Sequence, residues 1–147
     1  MGIKNKKINI LFVCKYNRFR SRVAEAYFKK INKNKNIKAK SAGVIKGNPV
    51  SGLSVKTAKK FGLNIKGETK GLTTKILELQ SITVIVADDV PASIFCNNKR
   101  YCKKTIVWKI ADARESERNV KGKIQVINQI TKKVDNLNKQ LERGKLK

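Results

Sequence analysis

The chain has 147 residues, which is the length of one domain, and its apolar residues, 40% of the total, can form a core of their own. It carries 35 basic and 10 acidic residues, a net charge of +25 that favours anionic partners. Because histidine is absent, Ser-His and Cys-His catalytic pairs and histidine-ligated metal sites are excluded. We expect residues 1–147 to form a single domain.

Four segments have the apolar, β-branched composition that is typical of strands. Residues 8–13, 82–87 and 105–108 are nearly continuous in apolar side chains, which indicates strands covered on both faces in a parallel sheet. Residues 37–41 alternate between apolar and polar side chains, and we expect a weaker, edge-like strand there.

Amphipathic helical patterns lie between these strands. The first recurs at Val23, Tyr27 and Ile31, four residues apart. The second ends at Gly62, because glycine commonly terminates a helix by adopting a positive φ. A short third helix is predicted over residues 72–79.

Two further helices are predicted over residues 91–96 and 120–141. The last has the 3–4 spacing of a helix that packs on a sheet, and its alternative interpretation is a dimerising coil. We therefore expect a monomer or a weak dimer. The alternation of strands and helices predicts a three-layer α/β fold, with a mostly parallel sheet and right-handed crossovers.

In sheets of this kind, ligands bind at the carboxyl ends of the strands. Cys14 follows the first predicted strand, Asp88 and Asp89 follow the third, and residues 109–115 follow the fourth. These three positions are the candidate places for a ligand site.

The most informative segment is ILFVCKYNRFRSRVAEAYF, in which a strand leads into Cys14, and Arg20 and Ser21 precede a helix. At such a turn, loop amides and a helix N-terminus converge on an anion. The Arg20 guanidinium can form two further hydrogen bonds to an oxyanion. These groups favour the thiolate form of Cys14, which makes it a nucleophile without a histidine base.

This segment resembles the signature loop of the low-molecular-weight protein tyrosine phosphatase superfamily, which also contains the thioredoxin-coupled arsenate reductases. The resemblance continues over most of the chain, in the segments SAG, FGLNIKGETKGLT, VIVADD and VWKIADARES. It implies a flavodoxin-like, four-stranded parallel sheet of the phosphotyrosine phosphatase I type. It also implies a phosphocysteine intermediate and no cofactor.

The resemblance implies three catalytic residues. Cys14 is the expected nucleophile, Arg20 binds the phosphate, and Asp112 protonates the leaving oxygen and then deprotonates the attacking water. Such acid–base assistance contributes roughly 10²–10⁴ in rate. Asp88 or Asp89 matches an acidic strand end that braces the loop.

The substrate-binding residues carried over by the resemblance follow Cys14 directly. The loop amides belong to Lys15, Tyr16, Asn17, Arg18 and Phe19. The Asn17 side chain is expected to pin the loop, Lys15 and Arg18 add positive charge to it, and a sixth residue, Ser21, tunes the thiolate.

The chain departs from the superfamily pattern at several positions. Tyr16 stands where glycine is common, and Phe19 replaces a cysteine that often precedes the arginine. Ala113 replaces a proline after the general acid, and Arg114 and Glu115 replace aromatic residues that grip a phosphotyrosine ring. Phosphate-monoester hydrolysis is therefore implied, whereas phosphotyrosine as the substrate group is not.

Two alternative functions stay open. An arsenate reductase would use Cys14 with a redox relay through Cys96 and Cys102, the other two cysteines of the chain. A non-catalytic module would use the loop and the charge to bind phosphate groups or nucleic acid, although the Cys14, Arg20 and Asp112 set argues against it. A metal site built on cysteines alone is less favoured than either, and we expect none.

The expected partners are a phosphorylated protein or a small phosphate ester, with anions such as phosphate or sulfate in the loop. The charge is concentrated in residues 1–73, which carry 19 basic and 2 acidic residues, and compositional bias is an alternative explanation for it. Nucleic acid is less favoured because aromatic residues make up 6% of the chain and form no stacking platform. The apolar run at residues 8–13 is too short for a membrane span, so we expect a cytoplasmic protein with no membrane partner.

Overall fold

Four parallel strands form the centre of the fold. The structure, a computed structural model, describes residues 7–96, apart from the Cys96 side chain, together with residues 104–112 and 119–144. The strands pair in the order β2-β1-β3-β4, and every pair is parallel. They are β1 (Ile8–Cys14), β2 (Ile37–Gly43), β3 (Ile82–Val86) and β4 (Lys104–Trp108).

Helices connect the strands and lie on both faces of the sheet. They are α1 (Arg20–Ile31), α2 (Gly52–Lys59), α3 (Thr74–Leu79), α4 (Ser93–Cys96) and α5 (Val120–Glu142). The predicted three-layer α/β fold with a four-stranded parallel sheet is confirmed.

Alternation along β1 divides the core into two clusters. Ile10 and Phe12 pack with the helices α1, α2 and α5 on one face. Leu11 and Val13 point to the other face, where they pack with the shorter helices α3 and α4. Both clusters are anchored by strands that are buried on both faces, as the apolar run at the start of the chain predicted.

The last helix, α5, uses its apolar side to cover the sheet. Ile127, Ile130 and Val134 are fully buried in the cluster that also contains α1 side chains. Tyr27 on α1 donates its hydroxyl to Asp135 Oδ1 on α5 at 2.8 Å, which fastens the two helices together. Burial raises the pKa of the Tyr27 phenol, and the hydrogen bond to Asp135 raises it further.

Two local predictions differ from the structure. Strand β4, at an edge of the sheet, is only partly covered, with Lys104 and Val107 exposed, so the prediction that both its faces are covered was wrong. Helix α3 begins two residues later than predicted, because the Thr73 side chain accepts a hydrogen bond from the N–H of Ile76 and caps the helix there. Residues 97–104, whose Asn- and Lys-rich sequence predicts a loop, fall mostly outside the described residues.

The packing of α5 yields a prediction about stability. We expect Ile130→Ala to lower the free energy of unfolding by about 2–5 kcal/mol, because removing most of a fully buried side chain leaves a cavity in its place. Gln129→Ala, at an exposed position of the same helix, should change it by less than about 0.5 kcal/mol. Denaturant unfolding of both variants measures this, and equal midpoints would show that α5 does not cover the core.

Candidate active site

The loop that joins β1 to α1 lies at the carboxyl end of the sheet, beside the end of β2. Cys14, the last residue of β1, is paired with Gly43, the last residue of β2. A Cβ at Gly43 would lie 2.6 Å from the Tyr16 carbonyl carbon and 2.7 Å from the Asn17 nitrogen. Glycine is therefore required at residue 43, because the loop backbone packs directly against the end of β2.

The Asn17 side chain holds the loop in its folded shape. Its Nδ2 donates to Ser21 Oγ at 2.7 Å and to Ser41 Oγ at 3.0 Å. Its Oδ1 accepts from the Lys70 N–H at 2.9 Å and from Arg22 Nη1 at 3.4 Å. Asn17 is 0% exposed and has a φ of 59°, a left-handed conformation in which asparagine is enriched.

The Cys14 side chain lies inside this loop, and the residue is 3% exposed. Its sulfur contacts Ser21 Oγ at 3.0 Å and accepts a hydrogen bond from the Asn17 N–H at 3.3 Å. Because Ser21 Oγ already accepts from the Asn17 amide, its own proton is available to the sulfur. The N-terminus of α1 begins beside the loop at Arg20, and its first turn contains no acidic residue. The N-terminus of α1 and these donors thus lie beside the sulfur.

Arg20 ties the loop to the ends of the two neighbouring strands. It is 2% exposed, and its Nη1 donates to the carbonyl oxygen of Ile110 at 2.9 Å. Its Nη2 donates to Asp89 Oδ1 at 3.1 Å, and its Nη1 lies 3.6 Å from Asp88 Oδ1. Asp112 Oδ1 lies 3.7 Å from Nε of the same guanidinium. The structure thus brings the three sequence-predicted strand ends together around one cation.

The other loop side chains point in different directions. Tyr16 is 39% exposed, and Lys15 Nζ lies 5.2 Å from the centre of its ring. Arg18 Nη2 donates to the carbonyl oxygen of Pro49 at 3.3 Å. Phe19 is buried in the core below the loop, so a ligand in the loop meets its backbone rather than its ring.

Three side chains that support the loop were missed by sequence reasoning. Ser41 donates to Glu25 Oε1 at 2.5 Å while it accepts from the Asn17 amide, so Glu25 orients the hydroxyl that orients the loop. Lys123 is 1% exposed and places its Nζ 4.9 Å from the centre of the Phe19 ring. Its spacing from Ile127 and Ile130 puts it on the apolar side of α5, so the helical periodicity could have predicted that Lys123 is buried.

The remaining predicted positions lie wholly or partly outside the described residues. Cys96 ends α4, but its side chain and the whole of Cys102 lie outside the described residues, as do Ala113, Arg114 and Glu115. Within the described part of the chain, no group of three metal-ligating side chains could hold a metal ion. Across the same residues, none of the helices is both long and apolar enough to cross a membrane.

The network around Asn17 predicts how the loop depends on one side chain. We expect Asn17→Ala and Asn17→Gly both to weaken the binding of inorganic phosphate by about tenfold or more, because buried partners lose their hydrogen bonds. Glycine tolerates the left-handed backbone, so a defect in both variants isolates the side chain from backbone strain. Isothermal calorimetry measures the affinity, and full affinity in Asn17→Gly would show that the side-chain network is dispensable.

Several solved structures are similar to this chain over most of its length. The tyrosine phosphatase from T. tengcongensis, of the low molecular weight class, has a TM-score of 0.78 at 24% identity, covering 90% of this chain and 99% of that chain. The YwlE arginine phosphatase from Geobacillus stearothermophilus has a TM-score of 0.78 at 20% identity, over 95% of this chain and 96% of that chain. The arsenate reductase from Archaeoglobus fulgidus has a TM-score of 0.66 at 24% identity, covering 88% of this chain and 98% of that chain. These likenesses show a shared fold.

The family assignment comes from the sequence and not from the fold. No curated protein matches it significantly. The family model described as low molecular weight phosphotyrosine protein phosphatase, however, matches residues 9–146, nearly the whole chain. The chain therefore belongs to the low molecular weight phosphotyrosine protein phosphatase family, as the loop around Cys14 indicated.

Proposed function

We propose that this protein is a cysteine-dependent phosphatase that hydrolyses phosphate monoesters through a phosphocysteine on Cys14. The observation that carries the proposal is the enclosure of the Cys14 sulfur by hydrogen-bond donors, with the Ser21 hydroxyl at 3.0 Å and the Asn17 N–H at 3.3 Å. The buried Arg20 and the Asp112 carboxylate stand at the same strand ends, 3.7 Å apart. These groups are a nucleophile, a phosphate-binding cation and an acid.

In the first step, the Cys14 thiolate attacks phosphorus. The sulfur–phosphorus bond forms as the phosphorus–oxygen bond to the leaving group breaks. Asp112, protonated at this stage, gives its proton to the leaving oxygen. The loop amides and Arg20 stabilise the charge that spreads over the phosphoryl oxygens in the transition state.

In the second step, water attacks the phosphocysteine. The Asp112 carboxylate takes the proton from the water, and the sulfur–phosphorus bond breaks to release phosphate. The Ser21 hydroxyl stabilises the departing thiolate, which is why its 3.0 Å contact with the sulfur matters. Both steps use the same carboxyl group in opposite protonation states.

The substrate class follows from the loop and from the family. The structural relatives include proteins named as a tyrosine phosphatase and as an arginine phosphatase, so this fold accommodates different phosphorylated side chains. We propose a phosphorylated protein or a small phosphate ester as the substrate of this chain, which acts as a monomer or a weak dimer. A reducing cytoplasm is the proposed setting, because it keeps the Cys14 thiol available.

The proposal predicts turnover of p-nitrophenyl phosphate, a chromogenic aryl phosphate, that depends on Cys14. Cys14→Ser should reduce the rate to background, because a serine hydroxyl is a far weaker nucleophile than a thiolate. Release of the coloured phenol at neutral pH measures this, with Cys14→Ser as the comparison.

Retention of full activity in Cys14→Ser would contradict the mechanism. Absence of aryl phosphate turnover, together with arsenate-dependent oxidation of thioredoxin that requires Cys96 or Cys102, would assign the protein to the arsenate reductases instead.

The acid role of Asp112 has a separate signature. We expect Asp112→Ala to lower kcat/KM for alkyl phosphates by about 10²–10⁴-fold and kcat/KM for p-nitrophenyl phosphate by much less, because a good leaving group needs no proton and kcat/KM does not include the later hydrolysis of the phosphocysteine. Asp89→Asn disturbs Arg20 instead and should slow both substrates alike. Steady-state kcat/KM values across leaving groups measure the difference, and an equal loss of kcat/KM for both substrates in Asp112→Ala would remove Asp112 from the acid role.

A further inference from the structure

An open cleft of about 720 Å³ lies at the outer edge of β2 and is lined by residues of that strand, of α1 and of the segment that joins them. We call it the β2-edge groove. Six of the residues that line it are lysines, and all six side chains are exposed: Lys29, Lys33, Lys35, Lys38, Lys40 and Lys70.

The β2-edge groove carries an excess of positive charge that the residues described by the structure do not neutralise. Glu25 is the one acidic residue among those lining it, and it pairs with Lys29 Nζ at 2.7 Å. None of the other five lysines forms a salt bridge with another residue of the described part of the chain. The sequence contains no Asp or Glu between Glu25 and Glu68, so the segments before and after β2 contribute only basic charges to this surface, and Glu142 of α5 lines a neighbouring pocket with Lys33 and Lys35.

The groove approaches the candidate active site at one end. The Lys70 N–H donates to Asn17 Oδ1, and the Gly43 N–H donates to the Lys70 carbonyl, so Lys70 stands next to the loop. Lys40 comes three residues before Gly43, which is paired with Cys14, and Lys38 comes five residues before it. At about 3.3 Å per residue along a strand, these lysines lie about 10 and 17 Å from the level of Cys14.

The shape and chemistry of the groove fit an extended acidic peptide better than a nucleic acid. Its one aromatic lining residue, Phe28, is fully buried and offers no surface on which a base could stack. Strand β2 lies at an edge of the sheet, where an extended chain can run alongside it. Lys38 and Lys40 are exposed at alternate positions of that strand, a spacing that matches carboxylates on alternate residues of a peptide.

We propose that the β2-edge groove binds an acidic segment of a protein substrate, three to six residues from the phosphorylated side chain. The proposal rests on the phosphatase function proposed above and names its substrate class: phosphoproteins with Asp or Glu clustered near the phosphorylated residue. The occupant is defined by charge complementarity with the five unpaired lysines and by the distance of the groove from Cys14.

The test uses the full chain and two variants that lose equal charge. The first is Lys35→Gln/Lys38→Gln/Lys40→Gln, inside the groove. The second is Lys59→Gln/Lys132→Gln/Lys133→Gln, at exposed positions on α2 and α5. The substrates are p-nitrophenyl phosphate and two phosphotyrosyl peptides, which differ only in having Glu or Ser at the flanking positions.

We expect the groove variant to raise KM for the acidic peptide about tenfold at low salt, as the loss of three exposed ion pairs would. Its kcat, and its kinetics on the neutral peptide and on p-nitrophenyl phosphate, should stay unchanged. The difference should vanish near 1 M salt, where the Debye length is about 3 Å. The matched variant should behave like the parent chain.

Equal effects in the two variants would overturn the proposal and assign the charge to compositional bias. An unchanged KM for the acidic peptide in the groove variant would also overturn the proposal. So would a result in which binding of a single-stranded oligonucleotide depends on the groove lysines and binding of the acidic peptide does not. Fluorescence anisotropy of the labelled acidic peptide tests the groove even if none of the phosphate substrates turns over. Loss of anisotropy binding in the groove variant alone, with no turnover, would support the groove and refute the phosphatase.

Discussion

The buried guanidinium of Arg20 is the interaction on which the rest of the site depends. A buried charge is costly unless it is paired, and Arg20 is paired with Asp89 and with the Ile110 carbonyl oxygen, beyond the ends of β3 and β4. Those pairings fix where the strand ends stand relative to the loop after β1. They also bring the Asp112 carboxylate beside the same cation, so one side chain sets where the Cys14 loop and the Asp112 carboxylate lie relative to each other.

The loop tolerates two unusual residues because their side chains leave the pocket. Tyr16 points outward and packs closely against Gly47, where an added Cβ would lie 2.8 Å from the Tyr16 Cβ. Phe19 turns into the core, where Lys123 covers its ring. The hydrogen bonds of the Asn17 side chain involve neither Tyr16 nor Phe19, so they hold the loop backbone independently of these two residues. Tyr16 is therefore placed to affect which substrates approach, whereas Phe19 affects packing.

The sequence predicted what is local and missed what depends on distant segments. Cys14, Arg20 and Ser21 lie within eight residues on a strand–loop–helix pattern, so their proximity follows from spacing alone. The contacts of Asn17 with Ser41 and Lys70 span 24 and 53 residues and depend on how β2 pairs with β1. The exposure of β4 and the grouping of lysines into one groove depend likewise on which strands form the sheet edges, a property that composition does not carry.

The proposed mechanism requires that the Cys14 sulfur become covalently bonded to phosphorus during turnover. The most direct measurement is mass spectrometry of the tryptic peptide of residues 8–15, which contains Cys14, after rapid acid quenching of the protein with an aryl phosphate. We expect the mass of this peptide to rise by one phosphoryl group, with fragmentation placing the group on the sulfur. A peptide that stays unmodified while the phenol is released in a pre-steady-state burst, or a phosphoryl group on another residue, would contradict the account.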